Sequence, residues 1–436
     1  MLLACASASP GSTASAPVTD GGPSSPSIAP DGSVVPPALS DAGADAHGAI
    51  AVDGKVVVDG VKSVARSSNV RVTLGDSLPI APNADGTFHT MVSALPYDAV
   101  VTYKNANGQP FTLIYEGLTS LKPTFDAFGA ATDPALARTG QLAVTVAGLT
   151  RVAGDQVSLR VSGEGPNAAV YGATTNLEAR WSDGAASKRV TVYATWTKRL
   201  GASDVESYLG YGSAQVTAVH EGTASVTVNI EPISDASVDV TATAPAGYGP
   251  ASRTLYVTNG SDLVFSAERP LEATGTAHVR VPSSPVLTSV VDVGCPLGAT
   301  SSGWGFATTA PFTSAPPTPI VLTVPEPPTF TFPVRGETID ASTTLRWDRH
   351  GGSGISRVRL YTSGGTPTII MWTAKDTANV LARATIPPTN DARAGIAIES
   401  FASIDDLVTL PSRHGPPPLG SAGTFSESAP LPIKVK

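Results

Sequence analysis

Histidine is the side chain best suited to binding a metal or moving a proton near neutral pH, and the sequence holds six: His47, His89, His220, His278, His350 and His414. No two stand at i, i+2 or i, i+4, the spacings that aim a pair from one strand or helix face. No metal site is expected. Asp204 with Glu206 and Asp405 with Asp406 are the close carboxylate pairs, and both read as solvated loop charges, since paired catalytic carboxylates usually come from separated strands. His220-Glu221 falls at the tip of a hairpin. The chain has no Gly-x-Ser-x-Gly elbow, no phosphate loop and no dinucleotide-binding glycine pattern after a strand, so hydrolase, nucleotide and nicotinamide chemistry lack their local signatures. The expectation is a protein without catalysis or cofactor. A hydrolase whose residues meet only in three dimensions is the remote alternative.

Aromatic side chains are the other groups able to recognise a ligand, because their flat faces pack on sugars and apolar partners. Five tryptophans occur, Trp181, Trp196, Trp304, Trp347 and Trp372, together with Tyr208 and Tyr211 in the stretch Ser207-Tyr-Leu-Gly-Tyr-Gly212. Trp181 and Trp347 lie in alternating strands and are expected in cores. Tyr208, Tyr211 and Trp304, all in glycine-containing stretches, are expected to be exposed and to form any ligand platform. The partners this allows are a glycan or another envelope protein.

Only two cysteines occur, Cys5 and Cys295, which rules out a disulfide scaffold. Cys295 ends an apolar strand and reads as a small buried hydrophobe. Leu2-Leu3-Ala4-Cys5 resembles the lipobox of secreted bacterial lipoproteins, a resemblance that implies cleavage before Cys5 and lipid on its thiol. The reading frame is then expected to extend upstream into a signal peptide. Residues 6 to 45 are nearly all Ser, Ala, Pro, Gly and Asp, with no Lys, Arg or aromatic residue. Such a stretch cannot bury enough apolar surface to offset its ordering entropy, so residues 1–45 are read as a lipobox and disordered tether. The resemblance places the protein at the cell envelope, on the outer membrane or cell surface, with lipid as its only membrane attachment. The net charge of −8, with a pI near 5.3 and no basic run, excludes the electrostatic footprint of a nucleic-acid binder.

Holding any such residues in place must fall to strands. Gly 42, Pro 38 and a charged content of only 15% favour turns over long amphipathic helices, and roughly 390 residues beyond the tether suffice for several sandwich-sized units. The predicted fold class is all-β: tandem β-sandwich domains preceded by a disordered N-terminal tether. Residues 46–128 form the first unit, with strands at Lys55 to Val58, Asn69 to Leu74, Gly86 to Met91, Ala99 to Tyr103 and Phe111 to Tyr115, and a tight turn at Asn107-Gly108. Asn83-Ala-Asp85-Gly86 reads as a hairpin turn, because a calcium loop would need a further bidentate Glu. The order Gly54 to Gly60, Asn69 to Leu74, Asn83 to Phe88 and Leu95-Pro-Tyr97 resembles the carboxypeptidase-regulatory-like, transthyretin-type β-sandwich, with Pro96 where that family usually has Gly. The resemblance covers about 50 residues and implies a spacer or binding module.

Beyond Asp133-Pro134, residues 139–268 read as a β-sandwich region with turns at Asp183-Gly184, Glu221-Gly222 and Asn259-Gly260. Residues 269–328 are a Pro/Ser/Thr-rich β segment with strands at His278 to Val281, Leu287 to Val293 and Ile320 to Val324, closed by the stiff run Pro325 to Pro328. Residues 329–436 start from a Pro-containing entry and reach Trp347-Asp348 at the end of a strand. That spacing resembles an immunoglobulin or fibronectin type III-like module, in which an early tryptophan plugs the core. The functional reading is a non-catalytic, lipid-anchored envelope protein presenting these sandwiches as a structural, adhesive or scaffold module. The alternative is a carbohydrate-binding surface protein.

Overall fold

Valine- and threonine-rich stretches of period-two alternation become strands where turns separate them, and the computed structural model is made almost wholly of such strands. It describes residues 49–436 except 59–61, 64–68, 131–133, 151, 164–166, 171–173, 201–203, 250, 272–274, 299–302, 317, 362–366, 385 and 410–422. Cys5, the tether, His47 and His414 lie outside the described residues. Among the described residues the one α-helix is Ile404–Thr409, and no helix is long and apolar enough to cross a membrane.

The local turn chemistry follows the sequence. Gly86 and Gly108 take φ of 84° and 77°, values that an L side chain adopts only with strain. The Asp85 carboxylate accepts from the Thr87 backbone N–H at 3.0 Å and from its hydroxyl at 2.6 Å, so this segment is a hairpin turn. At the Glu221-Gly222 turn it is Glu221, at φ 56°, that takes the left-handed conformation.

Four cores result, each between two layers of strand. The sheet of Arg138–Ala147, Thr174–Trp181 and Thr223–Asn229 shares a core with the sheet of Asp155–Val161, Ser187–Leu200 and Asp204–Val219, filled by Leu142, Val144, Leu159, Trp181 and Val192. Ser234–Thr243, Gly275–Ser283 and Ile320–Thr323 cover Ala251–Asn259, Asp262–Leu271, Thr288–Pro296 and Trp304–Thr308 over Val240, Val257, Val291, Val293 and Cys295. Ile50–Val58, Thr87–Val92 and Thr124–Asp126 cover Arg71–Leu74, Tyr97–Lys104 and Pro110–Leu118 over Leu74, Leu113 and Phe125. Around Trp347 the strands Leu345–Asp348, Thr338–Ile339 and Leu431–Val435 pack with Ile355–Tyr361, Pro367–Thr373 and Thr389–Glu399. Trp347 is buried there and donates from Nε1 to Ser356 Oγ at 3.0 Å.

The larger layers of the last three cores are one sheet. Eleven strands pair continuously from Asp262–Leu271 at one edge to Arg71–Leu74 at the other, and two more, Leu431–Val435 and Thr338–Ile339, branch from Thr389–Glu399. Two joints make it continuous. Gly423–Glu427 lies between Trp304–Thr308 and Thr389–Glu399, and Pro367–Thr373 pairs in parallel with Pro110–Leu118. Core residues therefore cross the expected segment borders: Ile370 and Trp372 pack with the core of the first unit, and Ile114 packs around Trp347. The run after Ile320–Thr323 is tied down as well, for Val324 is fully buried and the Tyr248 hydroxyl donates to the Pro325 carbonyl at 2.9 Å.

Candidate functional site

Alternation assigns the two faces of the long sheet. In Thr288–Pro296, Val291, Val293 and Cys295 enter the core, which turns Asp292 and Gly294 to the opposite face. In Ile355–Tyr361, Val358 and Leu360 enter the core around Trp347, which turns Arg357 and Arg359 the other way. Register places Gly294, Phe306, Phe425 and Glu399 in one cross-strand row, and Arg357, Ala397 and Glu427 in a second. Of these, Gly294, Phe306, Phe425, Arg357 and Glu427 line a groove of about 560 Å³, whose further walls are Ser252, Thr254, Tyr256 and Glu268 on one side and Ile370 and Phe128 on the other. Its size lies within the range of small-molecule sites.

The floor is aromatic and its deep wall is ionic. Trp304 and Phe306 stack with centroids 5.8 Å apart and planes at 14°, and Phe425 follows at 5.8 Å from Phe306. The Arg357 guanidinium lies 5.1 Å over the Phe425 ring, a cation–π geometry. Arg357 is only 3% exposed, and its Nη1 meets Glu399 Oε1 at 2.6 Å. Glu399 Oε2 accepts in turn from Trp372 Nε1 at 3.2 Å, and Trp372 stacks on Tyr115 at 4.8 Å. Arg359 pairs with Glu427. Burial first, and then the neighbouring Arg357 charge, draws the Arg359 guanidinium down to about 10. A buried pair of this kind contributes little net stability but fixes side-chain positions, because removing one partner strands a charge.

Asp292 sits on the same face and accepts from the Thr308 hydroxyl at 3.3 Å. Burial outweighs that bond and lifts its carboxyl to about 7. Gly294, the next residue on this face, is required by its neighbour: a Cβ there would stand 2.7 Å from the Phe306 ring. A second hollow, of about 470 Å³, is lined by Asp53, Lys55, His89 and Lys122. Its His89–Asp53 pair at 2.7 Å is well exposed on both sides, so water screens it. Among the described residues no three of His, Cys, Asp and Glu gather where a metal ion could sit.

The expected platform residues separate. Trp304 is 37% exposed and forms part of the groove, on the strand Trp304–Thr308. Tyr208 and Tyr211 are corrected: they are 2% and 8% exposed and belong to a core. Tyr208 packs edge-on to Phe265 at 5.7 Å, and the Tyr211 hydroxyl accepts from Asn259 Nδ2 at 2.8 Å. The glycines beside them serve strand packing. A Cβ on Gly212 would stand 2.1 Å from the Asn229 carbonyl oxygen, and one on Gly210 would stand 2.5 Å from Ile230 Cγ2.

The carboxylate pairs are corrected too. Asp405 lies on the short helix and accepts from Ser120 N–H at 2.8 Å and from the Thr119 hydroxyl, while Asp406 accepts from Ser403 N–H at 2.9 Å. Both are structural clamps. Glu206 pairs with Lys198 at 2.8 Å. Cys295 is buried, and burial raises its thiol to about 11. Sequence reasoning passed over Arg357, Arg359, Glu399 and Glu427. The one local signal is Arg357 and Arg359 alternating with Val358 and Leu360, and it could not show that three distant strands would converge there.

No protein-family model matches the chain, and no curated protein matches it. Among solved structures the chain is similar to a leucine-rich repeat protein from Bacteroides thetaiotaomicron at 11% identity and TM-score 0.17, over 43% of this chain and 27% of that one. It is also similar to the Bacillus anthracis TIE protein at 8% identity and TM-score 0.16, over 89% and 66% of the two chains. A Streptococcal ancillary pilin matches at 8% identity and TM-score 0.15, over 63% and 98%. This chain thus spans about a quarter of the first of these proteins and just under two thirds of the second. At such scores no function passes from these proteins to this chain.

Proposed function

We propose that the chain is a non-catalytic, adhesive β-sandwich protein of the cell envelope that binds carbohydrate on the open face of its long sheet. The observation that carries this reading is Trp304. Its indole is partly exposed, stacked on Phe306, and held on a strand at the edge of a groove. A flat aromatic face on a rigid element packs against the C–H face of a sugar ring. The carboxylates deep in the groove favour binding over hydrolysis, since Glu399 and Glu427 are committed to Arg357 and Arg359. The resemblance of Leu2-Leu3-Ala4-Cys5 to a lipobox supports attachment through lipid on Cys5, with the tether as spacer.

A glycan array probed with the full chain tests the groove. The wild type is expected to retain at least one glycan, and Trp304→Ala to lose about tenfold or more in affinity with an unchanged melting temperature. A variant that binds as well as wild type, or a wild type that binds no glycan, defeats the reading. For the anchor, Cys5→Ser expressed behind a signal peptide is expected to leave the membrane fraction. Retention there refutes the lipid attachment.

A further inference from the structure

We infer that the groove selects neutral, hydroxyl-rich oligosaccharides and discriminates against acidic ones, a specificity that rests on its reading as a carbohydrate site. The argument is one of charge and of the chemistry of the two walls. An acidic sugar needs a cation whose charge is not already neutralised. Both arginines that line the groove are already met by carboxylates, Arg357 by Glu399 and Arg359 by Glu427. Glu268 then adds a carboxylate to the same face, so a uronate or sulfate would meet repulsion and a desolvation penalty with no new ion pair to offset them.

The wall opposite the arginines is built for neutral partners. Ser252, Thr254 and Tyr256 occupy alternate positions of one strand, so they project to the same face at intervals of roughly 6.8 Å. Their hydroxyls both donate and accept, as sugar hydroxyls do. Across the intervening strand Thr288–Pro296, Ser252 is level with Gly294 and Phe306, and Thr254 and Tyr256 continue the row away from Trp304, so a linear saccharide seated on the aromatic floor has hydroxyls to meet beyond it.

Calorimetric titration of the full chain tests the inference with two sets of oligosaccharides of equal length: neutral hexamers of glucose, mannose and N-acetylglucosamine, and acidic hexamers of galacturonate and glucuronate. At least one neutral hexamer is expected to bind with an affinity that barely changes from low to high salt. The acidic set is expected to bind tenfold or more weakly, and Glu268→Gln to narrow that gap. Acidic hexamers that bind as tightly as neutral ones overturn the neutral selectivity while leaving a carbohydrate site standing. No binding by either set overturns both. Affinity that collapses with salt, or that Glu268→Gln leaves equally selective, removes the electrostatic basis of the inference.

Discussion

Asp292 carries the least comfortable charge on the groove face. A carboxylate embedded in the run Val290-Val-Asp-Val293, with one hydroxyl as side-chain partner, is held by burial at about 7 instead of its ordinary 3.8. The sign follows from linkage. A folded-state value above the unfolded one gives a contribution that is fully present below pH about 4 and lost as pH rises through about 7. The difference amounts to about 4 kcal/mol at most in order of magnitude. Asp292→Asn keeps the shape and an acceptor for Thr308 but removes the ionisation. It is expected to match wild type in urea denaturation near pH 4 and to be more stable near pH 8. Other carboxylates, such as Glu116, are held below their ordinary range by Thr373, Lys375 and Arg383 against the effect of burial. They impose the opposite slope on both proteins, so the difference between the two profiles isolates Asp292. Parallel profiles would mean that Asp292 stays solvated in the folded state.

At the scale of elements, period-two alternation made most strands legible, because a strand with one buried face writes that face into every second residue. Gln141 to Val146 and Gln156 to Val161 are of this kind. The pattern fails where both faces are covered. In Thr288–Pro296, residues 289 to 295 are all buried, and the strand reads as a plain apolar run with no hint that Asp292 and Gly294 face a groove. It fails again for Trp304–Thr308, whose glycines at 303 and 305 look like loop residues. They are there because a Cβ at Gly305 would meet Val324 Cγ1 at 2.4 Å, and one at Gly303 the Glu427 carbonyl oxygen at 2.5 Å. Glycine in a strand often marks a close approach, and Gly210 and Gly212 mislead in the same way about Tyr208 and Tyr211. The short helix had a readable sign: Ser403-Ile-Asp-Asp406 is a capping box, with Ser403 Oγ accepting from Asp406 N–H at 3.3 Å and Asp406 returning the bond. The groove itself could not be read locally, since its cross-strand row joins residues 294, 306, 425 and 399.

At the scale of the whole molecule, the sequence suggests sandwiches strung like beads, whereas the sheet shared among three of them makes their stability common property. Four residue pairs join Trp304–Thr308 to Gly423–Glu427, and four join Pro367–Thr373 to Pro110–Leu118. The second joint is reinforced by the Tyr115–Trp372 stack, by the Asp98–Arg383 pair, and by Lys375 on Glu116 at 2.9 Å. The remaining sandwich is coupled by Asp204–Val219, which places Tyr208 and Tyr211 in one core and Ala218 in another. Residues whose packing is shared between cores cannot open one core without disturbing the next. Differential scanning calorimetry is therefore expected to give one dominant transition, with van't Hoff and calorimetric enthalpies that agree. Trp372→Ala, which takes an indole from between two units, is expected to lower that single transition without splitting off a small early peak. Several resolved transitions in the wild type, or a van't Hoff enthalpy well below the calorimetric one, would mean that the shared sheet transmits no stability. The groove would then be walled by units that open independently, and a ligand held across it would be expected to bring their melting together.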